Sequence, residues 1–294
     1  MAAPLGVDEA RLAAVGHVAD RLLAGQPVRF EGPRKHRRGA NRGVEFLDFQ
    51  PYSPGSDLRH IDWRASRRGR DLLVRRYVDE LAAEWWICID ASASMSIGGA
   101  AKWTLAAQVA VAFAYLLLRR NSSVGVMAFS NHVDALCPAG RGRHHFGQVA
   151  SLLARHAPRT SGGESDPSAC LDRLRPRRSV LLISDFLVED GMRSALRRLV
   201  GFGGAVHGVQ ILSDSDRPGP AGREHFVRDI ETGERIGLGE SGATDLVAER
   251  LARAQSELRD RCAKLGVPLT QAETSQTWIS VVIAHLTAVG GARG

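Results

Sequence analysis

The sequence predicts a doubly wound α/β fold: a mostly parallel sheet with an antiparallel edge strand and helices on both faces. Three observations predict it. Apolar runs recur at 85–89, 124–129, 179–183 and 205–212, each short and without clear polar alternation, as strands buried on both faces require. Helical patterns alternate with these runs from residue 84 to residue 289. Two of the runs stop at an aspartate, Asp90 and Asp185. Both would lie at the carboxyl edge of the sheet, where open α/β sheets bind ligands.

Each element has its own signal. Leu12, Val15, Val18, Leu22 and Leu23 recur on one face between 8 and 24, which fits an amphipathic helix packed on the main body. The Arg34–Arg38 cluster lies in a polar, glycine-containing stretch that reads as an exposed loop, either solvated or a docking surface for an acidic partner. Residues 44–50 alternate, 51–57 are turn-forming by composition, and 72–78 read as a strand. Between them, Asp62 and Trp63 sit among arginines and suggest an ion-paired, aromatic-stacked plug. A glycine pair, Gly98-Gly99, precedes a helix over 102–120 whose apolar run is too short for a typical membrane span of about 20 residues.

Further on, 132–137 reads as the antiparallel edge strand and 144–156 as a helix. Its adjacent His144 and His145 cannot share one helical face, so both are expected at the surface. Ser165 or Asp166 is a candidate N-cap for a helix through Leu174, with Pro167 in its first turn. Helices at 190–200, 246–265 and 277–289, a hairpin at 226–234 and a short strand at 267–270 complete the chain.

Asp90-Ala91-Ser92-Ala93-Ser94 carries one carboxylate and two hydroxyls in five residues. Such a set of hard oxygen donors suits Mg²⁺ or Mn²⁺. A strand ending in a polar turn, with Asp90 or Ser92 capping the next helix, would show the same residues. Asp185 is likewise either a helix cap or a second carboxylate for one metal site. Two strand-terminal aspartates in neighbouring strands would meet over one point, with Ser92, Ser94 and Ser165 beside them.

Composition narrows the rest. The content is 44% hydrophobic and 24% charged, ordinary for a globular protein. The beginning of the sequence shows no basic-then-apolar signal pattern. Cys88, Cys137, Cys170 and Cys262 form no Cys-x-x-Cys pair, which reads as reduced, cytoplasmic usage. The net charge of +7 raises nucleic acid as a partner. Only Lys35, Lys102 and Lys264 are lysines, however, so the excess is arginine and reads as codon bias. No Gly-x-x-x-x-Gly-Lys-Ser/Thr loop, Gly-x-Gly-x-x-Gly strand turn or Gly-x-Ser-x-Gly elbow occurs. Without a phosphate cradle, self-contained ATP hydrolysis is not expected.

Three stretches carry a resemblance: Arg42-Gly43-Val44-Glu45-Phe46, then Tyr52-x-Pro54-Gly55-Ser56-Asp57-x-Arg59-x-Ile61-Asp62-Trp63, then Arg64-Ala65-Ser66-Arg67. Together they resemble the signature of bacterial domain-of-unknown-function family 58. That family often has Gly-Asp-Asp where this chain has Gly55-Ser56-Asp57. The resemblance covers most of residues 40–290. It implies a von Willebrand factor A-like domain at 81–294, after an N-terminal helix and signature segment at 1–80. It also implies that Ser165-Asp166 fills a position where such domains carry a threonine, with Glu164 as an alternative ligand.

On this reading one Mg²⁺ or Mn²⁺ site uses Asp90, Ser92, Ser94, Ser165 and Asp185. The chain is then a non-enzymatic, metal-dependent protein-binding module whose open coordination position accepts an acidic side chain of a partner. The resemblance implies a MoxR-type AAA+ ATPase as partner, in chaperone-like maturation of a client protein. A metal-dependent phosphoesterase and an arginine-driven nucleic-acid binder are the alternatives.

Overall fold

The computed structural model describes residues 4–23, 35–37, 45–52, 61–67, 72–81, 83–161, 165–187, 189–216, 225–228, 235–238 and 243–291. The chain divides into two compact units: Arg34–Ala83, and the remainder. The N-terminal helix α1 (Glu9–Leu22) therefore belongs with the α/β unit, whereas a division at 80/81 groups it with the segment that follows it. Asp8 caps α1 by accepting from the Arg11 N–H at 2.7 Å, and Leu12, Val15 and Ala19 are buried.

The smaller unit is a three-stranded antiparallel sheet of β1 (Lys35–Arg37), β2 (Glu45–Pro51) and β3 (Leu73–Leu81), with β3 central. Part of the arginine cluster expected as loop is thus the strand β1, paired through His36 and Glu80. Arg34 and Arg38 lie outside the described residues. Asp62 caps the short helix α2 (Trp63–Ser66), accepting from the Arg64 and Ala65 N–H groups at 2.9 Å each. Among the described residues nothing stacks on Trp63, which is 65% exposed.

The larger unit is built on six strands: β4 (Glu84–Asp90), β5 (Ser123–Phe129), β6 (Val133–Gly140), β7 (Ser179–Ser184), β8 (Val206–Leu212) and β11 (Leu269–Glu273). Their order is β11-β8-β7-β4-β5-β6, parallel except for the edge strand β6. Every residue of β7 and β8 is buried, which is why those runs show no alternation. The hairpin strands β9 (His225–Arg228) and β10 (Arg235–Leu238) pair separately.

Helices α3 (Ala101–Arg119), α4 (Gly142–Arg155), α5 (Ser168–Leu171), α6 (Glu189–Gly201), α7 (Ala243–Leu265) and α8 (Trp278–Gly291) cover the sheet. Cys88, Met127, Leu182 and Val180 form one core with Cys170, Leu196, Leu199, Leu258 and Cys262 of α5, α6 and α7. The helix α3 lies against β4, β5, β7 and β8, and α1, α4 and α8 pack around it. Its 19 residues are long and apolar enough to cross a membrane by length and composition, and 72% of that window is buried in the fold. Burial against the sheet accounts for its apolarity.

His145 departs from expectation. It is buried, its Nε2 lies 2.6 Å from the Val124 carbonyl oxygen, and its ring covers Gly140, where a Cβ would fall 2.5 Å from Nδ1. His144 remains exposed. The four cysteines are free and buried.

A buried polar chain ties β8, α8 and β11 together. His207 Nδ1 lies 2.9 Å from His285 Nε2, and His285 Nδ1 lies 2.9 Å from Thr270 Oγ1. Burial, then repulsion from His207, holds the His285 imidazole well below its usual range. The unfolded chain therefore takes up this proton first as pH falls through about 6.5, and stability is lost below that pH. Stability from urea titration should drop between pH 7 and 5 by up to about 1.4 kcal/mol per pH unit from this group alone. In His285→Gln that part of the slope should vanish. Packing makes a second prediction at Gly204, where a Cβ would lie 1.9 Å from the Arg178 carbonyl oxygen. Gly204→Ala should cost about 1–3 kcal/mol in the same titration, since backbone has to move.

Candidate metal centre

The parallel register brings three loops to one point. Ile89 of β4 pairs with Ile183 of β7, so Asp90 and Ser184 leave the sheet side by side. Ser184 Oγ donates to Asp90 Oδ2 at 2.7 Å. Ser165 Oγ donates to the same oxygen at 2.6 Å. The Ser165 loop is held by backbone bonds from Arg159 N–H to the Ala91 carbonyl and from Asp166 N–H to the Ser130 carbonyl, both 2.9 Å. Asp90 Oδ1 accepts from the Ser92 N–H at 2.9 Å, which folds the chain back into the short 3₁₀ turn Ala93–Ser96. In that turn Ser92 Oγ and Ser94 Oγ lie 3.0 Å apart.

The sequence-predicted site residues Asp90, Ser92, Ser94, Ser165 and Asp185 all prove buried, at most 7% exposed. Four form one hydrogen-bonded set around Asp90, and Asp185 follows Ser184 directly. Glu164 lies outside the described residues. Ser165 precedes α5 but does not cap it; Asp166 Oδ1 accepts from the Ser168 N–H at 2.9 Å instead.

Three participants were not singled out from the sequence. Ser184 read only as the end of a strand. Lys102, in the first turn of α3, is completely buried. Its Nζ donates to the Ser94 carbonyl at 3.0 Å and pairs with Asp185 Oδ2 at 3.1 Å and Asp216 Oδ1 at 2.6 Å. Asp216, in a 3₁₀ turn after β8, is fixed through its other oxygen by the Ser213 N–H at 2.7 Å and the Ser213 hydroxyl at 3.0 Å. Gly98 lets the two turns meet: its φ is +75°, and a Cβ there would lie 2.4 Å from Ser215 Oγ. The signal that could have found Lys102 is its type, one of three lysines in an arginine-rich chain.

The electrostatics follow from this packing. Burial, then repulsion from Asp185, raises the Asp90 carboxyl above its usual range, against hydrogen bonds from Ser165, Ser184 and Ser92 that favour the ionised form. Asp90, Asp185 and Asp216 set three carboxylates against the single ammonium of Lys102. The ionised cluster is short of positive charge.

A hard divalent cation fits these donors. Mg²⁺ with oxygen ligands at about 2.1 Å places adjacent ligands about 3.0 Å apart; the two serine hydroxyls already have that spacing. Among the described residues, no group of three or more His, Cys, Asp or Glu side chains is placed to hold an ion. The donor set is thus hydroxyl-based, which disfavours softer metals.

The sequence profile described as "Protein of unknown function DUF58" matches residues 48–260, most of the chain. The chain belongs to this family. Uncharacterized proteins of Mycobacterium tuberculosis and Mycobacterium bovis are 26% identical over 251 residues, covering 82% of this chain and 78% of theirs. Among solved structures, BatB from Bacteroides thetaiotaomicron is similar at a TM-score of 0.42 and 14% identity, over 72% of this chain and 100% of that one. An aerotolerance-related membrane protein from Bacteroides fragilis is similar at 0.42 and 14%, over 71% and 100%. Likeness at these TM-scores carries no argument. The DUF58 profile itself names no activity.

The raised Asp90 pKa has a testable sign. The folded state binds this proton more tightly than the unfolded chain, so ionising Asp90 at neutral pH costs stability when no cation is bound. In chelator at pH 7, Asp90→Asn should melt at the same temperature as wild type or higher. A fall of several degrees would instead make Asp90 an organiser of the three loops and nothing more.

Proposed function

We propose that this chain is a metal-dependent protein-binding module with a von Willebrand factor A-like centre. One observation carries the reading: a buried carboxylate, three serine hydroxyls and a second carboxylate converge at the carboxyl edge of a parallel sheet, with negative charge in excess. Ser92, Ser94 and Ser165 would supply hydroxyl ligands, and Asp90 and Asp185 would bind directly or through waters. A divalent cation held there offers an open coordination position to an anionic oxygen of another molecule. Residues 98–101, exposed beside the buried turn, form a rim on which a partner's acidic side chain can arrive.

Resemblance supplies the partner class, a cytoplasmic MoxR-type AAA+ ATPase, with the pair acting on client proteins in a chaperone-like way. Free, buried cysteines are compatible with that reducing compartment. Two features argue against the phosphoesterase alternative. Asp90 Oδ2 already accepts two hydroxyl protons, which blunts it as a nucleophile. The Lys102 ammonium is already engaged by the Ser94 carbonyl, Asp185 and Asp216, so it is poorly placed to meet a phosphate.

Calorimetric titration of Mn²⁺ and Mg²⁺ into chelator-treated protein tests the reading. Wild type should bind one ion saturably. Asp90→Ala and Ser92→Ala/Ser94→Ala should weaken binding at least tenfold while remaining folded. Pull-down of a MoxR-type ATPase should depend on the ion. Wild type that takes up neither ion at millimolar concentration would overturn the proposal.

A further inference from the structure

We propose that Lys102 and Asp216 form a built-in counter-charge that sets how tightly the centre holds a divalent cation. The inference rests on the metal reading above and goes beyond it, because neither residue is among the candidate ligands.

The geometry makes Lys102 more than a packing group. A fully buried ammonium is costly unless each of its protons meets an acceptor. Here the ammonium donates to the Ser94 carbonyl at 3.0 Å and to Asp185 Oδ2 at 3.1 Å, and it is ion-paired with Asp216 Oδ1 at 2.6 Å. Two of these partners belong to the centre. Ser94 carries one of the paired hydroxyls, and Asp185 is the carboxylate whose field reaches Asp90. Lys102 thus fixes the backbone of one donor and neutralises the neighbour of another.

Asp216 works in the opposite direction. It returns one negative charge to the cluster, and Ser213 holds it in place. With all groups ionised, the three carboxylates and one ammonium leave two negative charges, which one divalent cation balances. Without Lys102 the cluster would carry one more negative charge. It would hold the cation more tightly, and the filled centre would then repel an incoming carboxylate. The lysine therefore gives up cation affinity and keeps the filled centre acceptable to an acidic partner. These charges lie behind buried side chains, where solvent screens them little.

A charge series tests this, read by Mn²⁺ binding in electron paramagnetic resonance titrations, with melting curves in chelator to show which variants fold. Relative to wild type, Lys102→Met should bind Mn²⁺ at least about tenfold tighter, and Asp216→Asn at least about tenfold weaker. The double variant Lys102→Met/Asp216→Asn has the wild-type charge and should return to within about threefold of wild-type affinity. If Lys102→Met does not fold, Asp216→Asn and the double variant still decide the matter, since the first keeps Lys102 paired with Asp185 and the second keeps the wild-type charge. Equal Mn²⁺ affinity in all folded variants would overturn the counter-charge role and leave the metal centre standing. No binding in any variant, wild type included, would overturn the centre and this inference together.

Discussion

A carboxylate buried at the end of a strand is the constraint on which the rest of this structure depends. Asp90 has no exposure to water, so every lone pair it keeps ionised has to be met from within the protein. Ser184 comes from the neighbouring strand, Ser165 from a loop two backbone bonds deep, and Ser92 from its own turn. Each bond adds to backbone bonds that already hold its segment. Polar side chains from several segments at the carboxyl edge therefore converge on one carboxylate.

The apolar frame makes that arrangement possible. Parallel strands buried on both faces leave the sheet at the same edge, so their ends are brought together by register and not by loop design. Ile87, Ile89, Val126 and Ile183 are fully buried beneath the centre and exclude water from it. Exclusion lowers the local dielectric and strengthens every charge interaction above it. The same exclusion makes the imbalance of three carboxylates against one ammonium expensive. A centre of this kind is relieved by a proton, by a cation, or by both in turn.

Much of this was legible in the sequence, for a physical reason. Uniform apolar runs mark strands buried on both faces, and an aspartate at the end of such a run has few places to be. Asp90 and Asp185 could be placed for that reason, and Ser92 and Ser94 followed by adjacency. Ser165 was reached through resemblance. Lys102 was not reached, because its long side chain spans from a helix to two loops distant in sequence, and no local pattern encodes that reach. Asp216 was hidden in a loop whose composition says only that it turns. His145 and Trp63 erred in opposite directions. A histidine at a helix start lies buried against a carbonyl acceptor on another strand, whereas a tryptophan expected to stack is exposed.

Net charge illustrates the same difference between local and global information. Residues 34–83 hold 12 basic and 7 acidic side chains, so this short unit contributes +5 of the chain's +7. All but Lys35 of these basic residues are arginine, and they gather in one unit. The α/β unit is left close to neutral, and within it lies a buried cluster of opposite sign. Solvent charges farther than about 8–10 Å are largely screened at physiological salt. Within the centre, the charges in direct contact are those of Asp185, Asp216 and Lys102, with Asp90 beside them. A basic isoelectric point and a buried cluster rich in carboxylates thus coexist in one chain.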